Sequence, residues 1–503
     1  KSMIFRDWLK GLVYTLLQGN VDVETEDVIY DSRKAAPGKV FVAMKGIRAD
    51  GHSFIPQVLK AGVTVLVTER PVEEELKASG LSGEELNKIT VVMVEEGRHA
   101  LALLSAARFG HPTKKLVMIG VTGTKGKTTT THMIRAILQA AGKKVGMIGT
   151  TGTMIGDVVT PTLNTTPESY ELHQAFSQMV EAGCEYAVME VSSQGIKMHR
   201  TDGLHFDYGI FTNISPDHIG PGEHADFEEY LYYKTRLLNM CRIGLVNKDD
   251  EHVEQITKAA DCELYTYSKE GKEADFSSSD IRYVSQPDFV GTEFHISGKY
   301  DMEVRLGIPG LFNVVNALAA VSVCSFLDLD KEKISHALEH IRVNGRMEIV
   351  YTSERCTVLV DYAHNAVSME SLLSTLRDYK PKRLVCVFGC GGNRSKDRRY
   401  SMGEIGGKLA DLSIITADNS RYEKVEDIIA DIRGSIEKTG GSFIEIPDRR
   451  EAIRYSILQA QPGDMVAVIG KGHEDYQEIN GVRHHFLDRE VIEETVKELG
   501  EKA

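Results

Sequence analysis

Short β-branched runs alternate with stretches of helical hydrophobic spacing along the whole chain, and breaks in this pattern divide it into three sections. The first section runs to about Pro112 and alternates the two kinds of run, which predicts a small α/β unit. Strands are expected at 40–44, 63–68 and 90–94, and helices at 54–61 and 98–109.

The middle section begins at Lys114, after the helix breaker Gly110–His111–Pro112. Strand runs again alternate with amphipathic helical patterns, which predicts a doubly wound, mostly parallel sheet. Strands are expected at 116–121, 144–148, 186–191, 208–214 and 243–246, helices at 128–141, 168–182 and 225–240, strand-like alternation over 276–306, and a helix of small residues from Leu311.

The last section begins near Asn344 and shows the same alternation of apolar strands with helical stretches. This pattern predicts a second open α/β sheet. Its strands are expected at 358–360, 384–388, 412–416, 442–446 and 465–469.

Length and charge narrow the possible functions. A chain of 503 residues is too long for one hydrophobic core and predicts several domains. Its 59 basic and 73 acidic residues give a net charge of −14, which argues against general binding to nucleic acid or to membrane surfaces. An anionic substrate therefore requires local basic pockets.

Cysteine usage and hydropathy predict a soluble cytoplasmic protein. The seven cysteines are scattered, which is typical of a reduced protein without a disulfide framework. Cys386 and Cys390 lack a second pair of ligands, so we expect no zinc site there. No apolar run approaches the roughly 18 residues of a membrane span, and no signal-peptide pattern is present.

A glycine-rich turn follows the first strand of the middle section and has the features of a phosphate-binding loop. Gly123 and Gly126 allow backbone N–H groups to approach an anion, Lys127 supplies a positive charge, and the Thr128 hydroxyl suits Mg²⁺. Val121 stands where the usual motif has a glycine, so the loop is a variant. The alternative is an ordinary turn, but Gly-Lys-Thr after a buried strand favours nucleotide binding.

Polar residues follow several other strands of the middle section, where ligands of parallel sheets collect. Glu190 ends one apolar run, and Asp217–His218 follows another; a carboxylate and an imidazole near the threonine of the loop suit Mg²⁺ ligation. The alternative for Glu190 is a helix cap or a surface charge. From its spacing alone, Lys234 is a solvated lysine on an amphipathic helix.

In the last section polar clusters follow four strands, at 361–364, 389–394, 418–421 and 470–474. Arginines at two of these strand ends can hold a carboxylate with paired hydrogen bonds, although the run Arg394–Arg399 alone is also typical of a charged loop. Earlier in the chain, Asn313 and Asn316 share one helical face and suit either core amides or ligand contacts. Asp31–Ser32–Arg33 suits either an anionic group or a solvated loop.

Taken together, these motifs resemble the Mur ligase family over the whole chain. The resemblance is carried by Asp31-Ser-Arg33, Gly123-Thr-Lys-Gly-Lys-Thr128, Asn164-Thr-Thr-Pro167, Glu190-Val-Ser-Ser193, Asp217-His218, Gly345-Arg346-Met-Glu348, Asp361-Tyr-Ala-His364 and Gly470-Lys-Gly-His-Glu474. It implies three domains: a UDP-sugar-binding domain at 1–112, a central P-loop ATPase with a parallel sheet at 113–343, and a Rossmann-like amino-acid-binding domain at 344–503.

The resemblance also implies a reaction and its cofactors, ATP and Mg²⁺. An ATP-dependent ligase of this kind converts the carboxylate of a UDP-muramoyl-dipeptide to an acyl phosphate, and a third amino acid then displaces phosphate to form an amide. This is a step of peptidoglycan precursor synthesis. The implied partners are those two small molecules, without nucleic acid or membrane insertion, and the implied state is a monomer.

The family positions that match this sequence imply the following roles. The catalytic residues are Lys127, Glu190, His218 and Lys234. Metal ligands are Thr128, Glu190, His218 and a carbamylated Lys234. ATP contacts are Gly123, Thr124, Gly126, Lys127, Thr128, Thr129, Asn313, Arg346 and Asp361. Substrate contacts are Ser32, Asn164, Thr165, Thr166, Ser192 and Arg200 for the UDP-muramoyl peptide, and Arg394, Asp418, Asn419, Arg421, Gly470 and Glu474 for the incoming amino acid.

Several positions depart from the family pattern, and three hypotheses follow. The departures are Lys125, Gln194, Met198, the longer loop 219–224, Ala366, and Ser420 in place of a proline. The resemblance implies that Arg421 holds the distal carboxylate of the amino acid, so Arg394, Arg421 and Glu474 together favour meso-diaminopimelate over L-lysine. The alternatives are the same chemistry with lysine or another acceptor in a secondary enzyme, and a nucleotide-binding subunit without turnover.

Overall fold

The computed structural model describes residues 2–46, 48–216 and 219–501. The chain forms two compact units, the first ending at Tyr267 and the second beginning at Ser268. Within the described ranges, no helix combines the length and the apolar character needed to cross a lipid bilayer.

The first unit contains fifteen strands and ten α-helices among its described residues. The strands are β1 (Met3–Ile4), β2 (Thr15–Gln18), β3 (Glu24–Thr25), β4 (Asp27–Ile29), β5 (Lys39–Val42), β6 (Val65–Thr68), β7 (Thr90–Met93), β8 (Val117–Thr122), β9 (Val145–Gly149), β10 (Gly152–Ile155), β11 (Val158–Thr160), β12 (Tyr186–Glu190), β13 (Phe206–Phe211), β14 (Cys241–Asn247) and β15 (Glu263–Ser268). The helices are α1 (Phe5–Trp8), α2 (Ile55–Lys60), α3 (Glu73–Ala78), α4 (Gly83–Leu86), α5 (Gly97–Arg108), α6 (Lys127–Ala140), α7 (Ser169–Glu181), α8 (Ser193–Lys197), α9 (Phe227–Thr235) and α10 (Val253–Ala259).

A small sheet at the start of the chain has the strand order β2-β7-β6-β5-β4, with β4 to β7 parallel. Alternate residues of its strands face opposite sides, because successive side chains of a strand point in opposite directions. Val40 and Val42 pack into one buried cluster, and Phe41 and Ala43 into the other. Both faces are therefore covered, as in other parallel sheets.

The larger sheet of this unit has the order β11-β10-β9-β12-β8-β13-β14-β15. Its six strands β9, β12, β8, β13, β14 and β15 run parallel, and β10 is antiparallel to both β9 and β11. Strand β8 lies between β12 and β13 and is parallel to both. The carboxyl ends of these three strands therefore lie at the same edge of the sheet. The hairpin β10–β11 was not predicted, since β11 is exposed throughout and shows no buried face. The helix predicted at 225–240 ends at Thr235, and 236–239 form a 3₁₀ turn.

The second unit contains eleven strands and seven α-helices among the residues described there. The strands are β16 (Phe276–Gln286), β17 (Phe289–Gly298), β18 (Met302–Leu306), β19 (Glu348–Thr352), β20 (Cys356–Asp361), β21 (Arg383–Phe388), β22 (Leu412–Ile415), β23 (Phe443–Glu445), β24 (Asp464–Ile469), β25 (Tyr476–Ile479) and β26 (Val482–His485). The helices are α11 (Leu311–Cys324), α12 (Lys331–Glu339), α13 (Ala366–Arg377), α14 (Asp397–Leu409), α15 (Val425–Thr439), α16 (Arg449–Leu458) and α17 (Asp488–Glu498).

The main sheet of the second unit has the order β19-β20-β24-β21-β22-β23, with every strand parallel except β19. Helices α16 and α17 cover part of this sheet through a cluster of buried residues that includes Ile453 and Ile492. Strands β16 to β18 form an antiparallel meander, which explains the alternation over 276–306. The α/β class predicted from the sequence is confirmed.

Candidate active site

The predicted phosphate loop joins strand β8 to the first residue of helix α6 in the first unit. Gly123 and Gly126 have φ of 144° and 90°, which disfavour residues with a side chain. The Lys127 Nζ donates to the Gly123 carbonyl oxygen at 2.7 Å, so the ammonium folds back over the loop. The helix N-terminus and this charge together favour an anion at the loop.

Gly123 also permits close packing of the loop on strand β13's end. A Cβ at Gly123 would lie 1.8 Å from the Thr212 Oγ1. We expect Gly123→Ala to lower the free energy of unfolding by about 2–5 kcal/mol, since it combines backbone strain with overpacking. Gly142→Ala is the matched control, because Gly142 also has positive φ but its Cβ meets no atom within 4 Å. Equal shifts of the two urea transitions would contradict the steric explanation.

Glu190 ends strand β12 and is directed at the phosphate loop. Its side chain is 1% exposed, its Oε1 accepts a hydrogen bond from the Thr128 Oγ1 at 3.0 Å, and its Oε2 accepts one from the Thr150 N–H at 2.7 Å. The alternative of a surface charge or a helix cap is therefore wrong. Two oxygen donors beside a phosphate loop fit Mg²⁺, which prefers carboxylate and hydroxyl oxygens. His218, the third residue predicted there, lies outside the described residues.

Lys234 is buried, whereas its sequence spacing predicted a solvated lysine. It is 1% exposed on α9, and its Nζ donates to the Gly123 carbonyl oxygen at 2.9 Å. The ring of Tyr230 lies 4.8 Å from the Nζ. Burial, and secondly the charge of Lys127, hold the pKa of Lys234 well below its usual range. The amine therefore has an increased neutral fraction, which can react as a nucleophile.

One cavity of about 260 Å³ brings together residues from distant parts of the first unit. Six of the predicted site residues line it: Lys127, Asn164, Thr165, Ser192, Arg200 and Lys234. Two of these are amines and one is a guanidinium, so the cavity suits an anionic ligand despite the net negative charge of the chain.

Thr166 and Arg200 support the wall of this cavity. The buried Thr166 hydroxyl donates to the Glu190 carbonyl oxygen at 2.9 Å and accepts from the Ser192 N–H at 3.0 Å. Arg200 donates to the Thr166 carbonyl oxygen at 3.1 Å and pairs with Glu168 at 3.3 Å. The Thr166 side chain therefore ties the segment before α7 to the end of β12, a role its sequence motif did not predict.

The other threonines predicted to be site residues, Thr124, Thr129 and Thr165, also contact protein groups or are buried. The Thr124 Oγ1 lies 2.9 Å from the Tyr230 hydroxyl, and Thr129 is buried in the first turn of α6. Thr165 contacts Thr150 through their hydroxyls at 3.2 Å. The Thr124 hydroxyl therefore links the phosphate loop to α9, and the Thr165 hydroxyl lies against the turn after β9.

Ser193 and His224 also line the cavity, and the sequence reasoning did not select them. The His224 Nε2 lies 2.8 Å from the Ser193 Oγ, and the ring is 1% exposed and stacks on Tyr233. Burial lowers the pKa of His224. In the sequence, the loop 219–224 stood out only by its length. The presence of a histidine in that loop was the one signal that could have identified His224.

Ser32 lies elsewhere in the first unit. It begins a 3₁₀ turn that is held by the Asp31 side chain, which accepts from the Arg33 N–H at 3.0 Å. Among the described residues Ser32 is not one that lines the cavity. A separate shallow pocket beside it includes Asp31 and Tyr170.

The predicted ATP contacts of the second unit differ in their surroundings. Asn313 is 1% exposed on α11, and its amide donates to the Pro309 carbonyl oxygen at 2.7 Å and accepts from Asn316 at 3.1 Å. These bonds to protein groups favour the alternative in which Asn313 is an amide of the hydrophobic core rather than a ligand contact. Arg346 is exposed.

Asp361 ends β20 and accepts hydrogen bonds from two backbone N–H groups. The donors are Met347 at 2.8 Å and Ala363 at 2.9 Å. Burial raises the pKa of Asp361, although these bonds and the charge of Arg346 act in the opposite direction. The carboxylate therefore fixes the chain segment that carries Arg346.

Residues predicted to bind the amino acid follow the parallel strands β21, β22 and β24 of the second unit. The Asn419 Nδ2 donates to the Glu474 Oε1 at 2.7 Å. A Cβ at Gly470 would lie 2.7 Å from the Asp418 Oδ2, so this glycine allows the two strand ends to approach. Arg394 is exposed in the loop after β21.

Arg421 is held in place although the proline usual before it is replaced by Ser420. Its φ is 53°, its N–H donates to the Glu478 carbonyl oxygen at 3.0 Å, and its carbonyl accepts from the Asn480 N–H at 2.7 Å. Its guanidinium donates to the Gly392 carbonyl oxygen at 3.0 Å. Backbone bonds to the hairpin β25–β26 therefore fix the loop.

Lys471 was quoted in a motif but given no role by the sequence reasoning. Its Nζ is buried and donates to the Glu474 Oε1 at 2.7 Å and to the Asn419 Oδ1 at 3.1 Å. The buried ammonium of Lys471 therefore orients the side chains of Asn419 and Glu474, two of the predicted amino-acid contacts. A charged residue within a glycine-rich strand end was the only signal for it.

The sequence matches three family descriptions in succession. These are "Mur ligase family, catalytic domain" over residues 25–109, "Mur ligase middle domain" over 121–324, and "Mur ligase, glutamate ligase domain" over 345–472. Together they cover more than half of the chain.

Full-length relatives and a solved structure agree with these matches. A protein of Caldanaerobacter subterraneus subsp. tengcongensis is 39% identical over 498 residues, and the alignment covers 98% of each chain. A protein of Clostridium tetani is 39% identical over 502 residues, and the alignment covers 99% of this chain and 100% of the relative. Both are named UDP-N-acetylmuramoyl-L-alanyl-D-glutamate–2,6-diaminopimelate ligase.

A solved structure of an enzyme with that name aligns over 100% of both chains with a TM-score of 0.77 and 28% identity. This likeness confirms the fold predicted from the resemblance. The chain belongs to the Mur ligase family.

Proposed function

We propose that this protein is an ATP-dependent ligase that adds meso-diaminopimelate to UDP-N-acetylmuramoyl-L-alanyl-D-glutamate in peptidoglycan precursor synthesis. The observation that carries this proposal is the cavity in which Lys127 and Lys234 meet Asn164, Ser192 and Arg200. A phosphate-binding lysine and an anion-binding wall in one space suit transfer of a phosphoryl group to a bound carboxylate. The two relatives that match the whole chain carry the name of this activity.

The proposed reaction has two steps. An oxygen of the glutamyl carboxylate attacks the γ-phosphorus of ATP, the bond to the bridging oxygen breaks, and ADP leaves with that electron pair. The amine of the amino acid then attacks the acyl carbon, and phosphate leaves as the amide forms and the amine loses a proton. Lys127 stabilises the charge on the transferred phosphoryl group because its ammonium lies over the loop.

Mg²⁺ is the metal that the donor groups suit, and Thr128 and Glu190 are proposed to hold it together with His218. The ion supplies neutralisation of phosphate charge. Thr150 keeps the Glu190 carboxylate turned toward Thr128 through its N–H and its hydroxyl, at 2.7 and 3.2 Å.

Lys234 is proposed to act as a carbamate. Because its pKa is lowered, the amine of Lys234 is neutral more often than the amine of an exposed lysine. Addition of CO₂ to the neutral amine, with loss of one proton, converts it to an anion. An anion there removes the repulsion between two amines beside one carbonyl, since both Lys127 and Lys234 contact Gly123. The carbamate then suits a second Mg²⁺.

The rest of the proposed assignment follows the family positions. Gly123, Thr124, Gly126, Thr129, Asn313, Arg346 and Asp361 serve ATP; Ser32, Asn164, Thr165, Thr166, Ser192 and Arg200 serve the UDP-muramoyl peptide; Arg394, Asp418, Asn419, Arg421, Gly470 and Glu474 serve the amino acid. The proposed domains are 1–112, 113–343 and 344–503, in a cytoplasmic monomer.

Transfer of labelled oxygen tests the proposed chemistry directly. We expect phosphate release to require both the UDP-muramoyl-dipeptide and diaminopimelate, and ¹⁸O from the acceptor carboxyl to appear in the released phosphate. Phosphate without the label would exclude an acyl phosphate. Omission of the dipeptide is the control: it should abolish phosphate release by the ligase reaction, whereas contaminating ATP hydrolysis would continue.

Arg421 is proposed to determine the amino acid. Its guanidinium is anchored at Gly392, so it is placed to pair with the second carboxylate of diaminopimelate, whereas the ammonium of lysine would be repelled. We expect Arg421→Ala to lower kcat/KM for diaminopimelate about 10²-fold, the loss of a charged hydrogen-bonded pair. The rate with lysine should not fall in parallel.

Arg433→Ala is a matched control for this variant. Arg433 lies on α15, and its ion pairs are with Glu437 and with Glu445 at 2.6 Å, not with the predicted amino-acid contacts. We expect it to retain the wild-type preference. Equal rates with diaminopimelate and lysine in the wild-type protein would contradict the assignment of Arg421.

A further inference from the structure

A cluster of two histidines and an aspartate lies outside the residues assigned above. His99 is in the first turn of α5, and His199 and Asp202 lie in the turn that follows α8. The Nδ1 of His99 and the Nδ1 of His199 each lie 2.7 Å from the same Asp202 Oδ2. One possible ligand atom from each of the three residues lies within 4.8 Å of the other two.

The three side chains come from two segments of the chain and are partly exposed to solvent. They are 42%, 37% and 23% exposed for His99, His199 and Asp202. Two imidazole nitrogens and one carboxylate oxygen form a ligand set that Zn²⁺ and similar transition metals prefer, and solvent can complete a fourth position. Mg²⁺ is disfavoured because it selects oxygen ligands.

The geometry needs only a small adjustment to hold such an ion. Bonds of about 2.0–2.1 Å in a tetrahedral site separate neighbouring ligand atoms by about 3.3 Å. The imidazoles must therefore move about half an ångström from the shared oxygen, and partly exposed rings can rotate by that amount. The nearby charge of Arg98 is partly offset by Glu168, 3.8 Å away.

We propose that His99, His199 and Asp202 form a binding site for a divalent transition-metal ion such as Zn²⁺, separate from the nucleotide site. The ion joins helix α5 to the turn that carries Arg200, the neighbour of His199. Since Arg200 lines the cavity, the bound ion fixes one wall of it. The ion thus positions the turn that carries Arg200, and solvent water completes its coordination.

Metal binding to the full chain tests this inference independently of ligase activity. The chain is first treated with a chelator and then dialysed against Zn²⁺ in excess Mg²⁺, which occupies oxygen-rich sites. We expect one tightly bound Zn²⁺ per chain, and visible absorption typical of tetrahedral Co²⁺ when cobalt replaces it. Absence of a stoichiometric ion would overturn the proposal.

Single substitutions assign the ion to this cluster. His99→Ala and His199→Ala should each weaken Zn²⁺ binding by at least the roughly 10–100-fold that loss of an outer partner costs. His205→Ala is the matched control, because His205 is exposed and lies outside the cluster. Circular dichroism confirms folding, and Asp202→Asn serves if either variant unfolds. Unchanged Zn²⁺ affinity in folded variants would overturn the proposal.

Discussion

Replacing Lys127 with alanine is expected to lower the rate of amino-acid-dependent phosphate release about 10²–10³-fold. The ammonium is held over the phosphate loop by the Gly123 carbonyl oxygen, so its charge is fixed where the transferred phosphoryl group carries negative charge. Loss of one preorganised group of this kind costs about 2.7–4 kcal/mol of transition-state stabilisation. The measurement is steady-state phosphate release at saturating ATP, dipeptide and amino acid.

Lys115→Ala is the matched control for this result. Lys115 is exposed just before strand β8, at the opposite end of that strand from the loop. Its substitution removes the same charge from the same unit, so long-range electrostatics alone would affect both variants. A comparable loss in the two variants would contradict a local role for Lys127. Phosphate release at background level in both the wild-type protein and Lys127→Ala would favour a nucleotide-binding subunit without catalysis.

Replacing Lys234 with alanine is expected to lower turnover about 10²–10³-fold, and a short carboxylate such as formate should restore part of it. Alanine removes both the amine and its proposed carbamate and leaves a buried space beside Gly123. A small carboxylate can enter that space and supply the missing negative charge. The measurement is phosphate release as a function of formate concentration.

Two comparisons distinguish the carbamate from a lysine that acts as an ammonium. Lys234→Arg keeps a positive charge but cannot add CO₂, so it should be as inactive as the alanine variant. Lys258→Ala, an exposed lysine of helix α10, should retain turnover and show no response to formate. Full activity in Lys234→Arg would contradict the carbamate, as would failure of formate to restore any activity.

Where hydrophobic spacing was strong, the sequence predicted the elements well. Strand β8, helix α6 and the parallel strands on either side were predicted within one to three residues, because apolar runs between glycine and proline breaks are local signals. The hairpins β10–β11 and β25–β26 were missed. The second strand of each hairpin is exposed throughout, so no buried face marked it in the sequence.

The site was predicted less evenly than the fold. Glu190 and the phosphate loop were found from local pattern, since an acid at the end of a buried strand and a Gly-Lys-Thr turn are informative by themselves. Lys471 and His224 were not, because each gains its position from residues distant in the chain. The contact of the Thr166 hydroxyl with the end of β12 likewise joins residues that are distant in the chain.

The sequence alone determined the α/β class, the phosphate loop and the strand ends at which polar residues collect, because these depend on nearest neighbours along the chain. Only the tertiary structure decided that Lys234 is buried against the Gly123 carbonyl and that Asn313 is engaged with core groups. Helical spacing gives a residue's direction on its own helix. The partner packed against that face, and hence the charge state of an amine there, depends on long-range contacts.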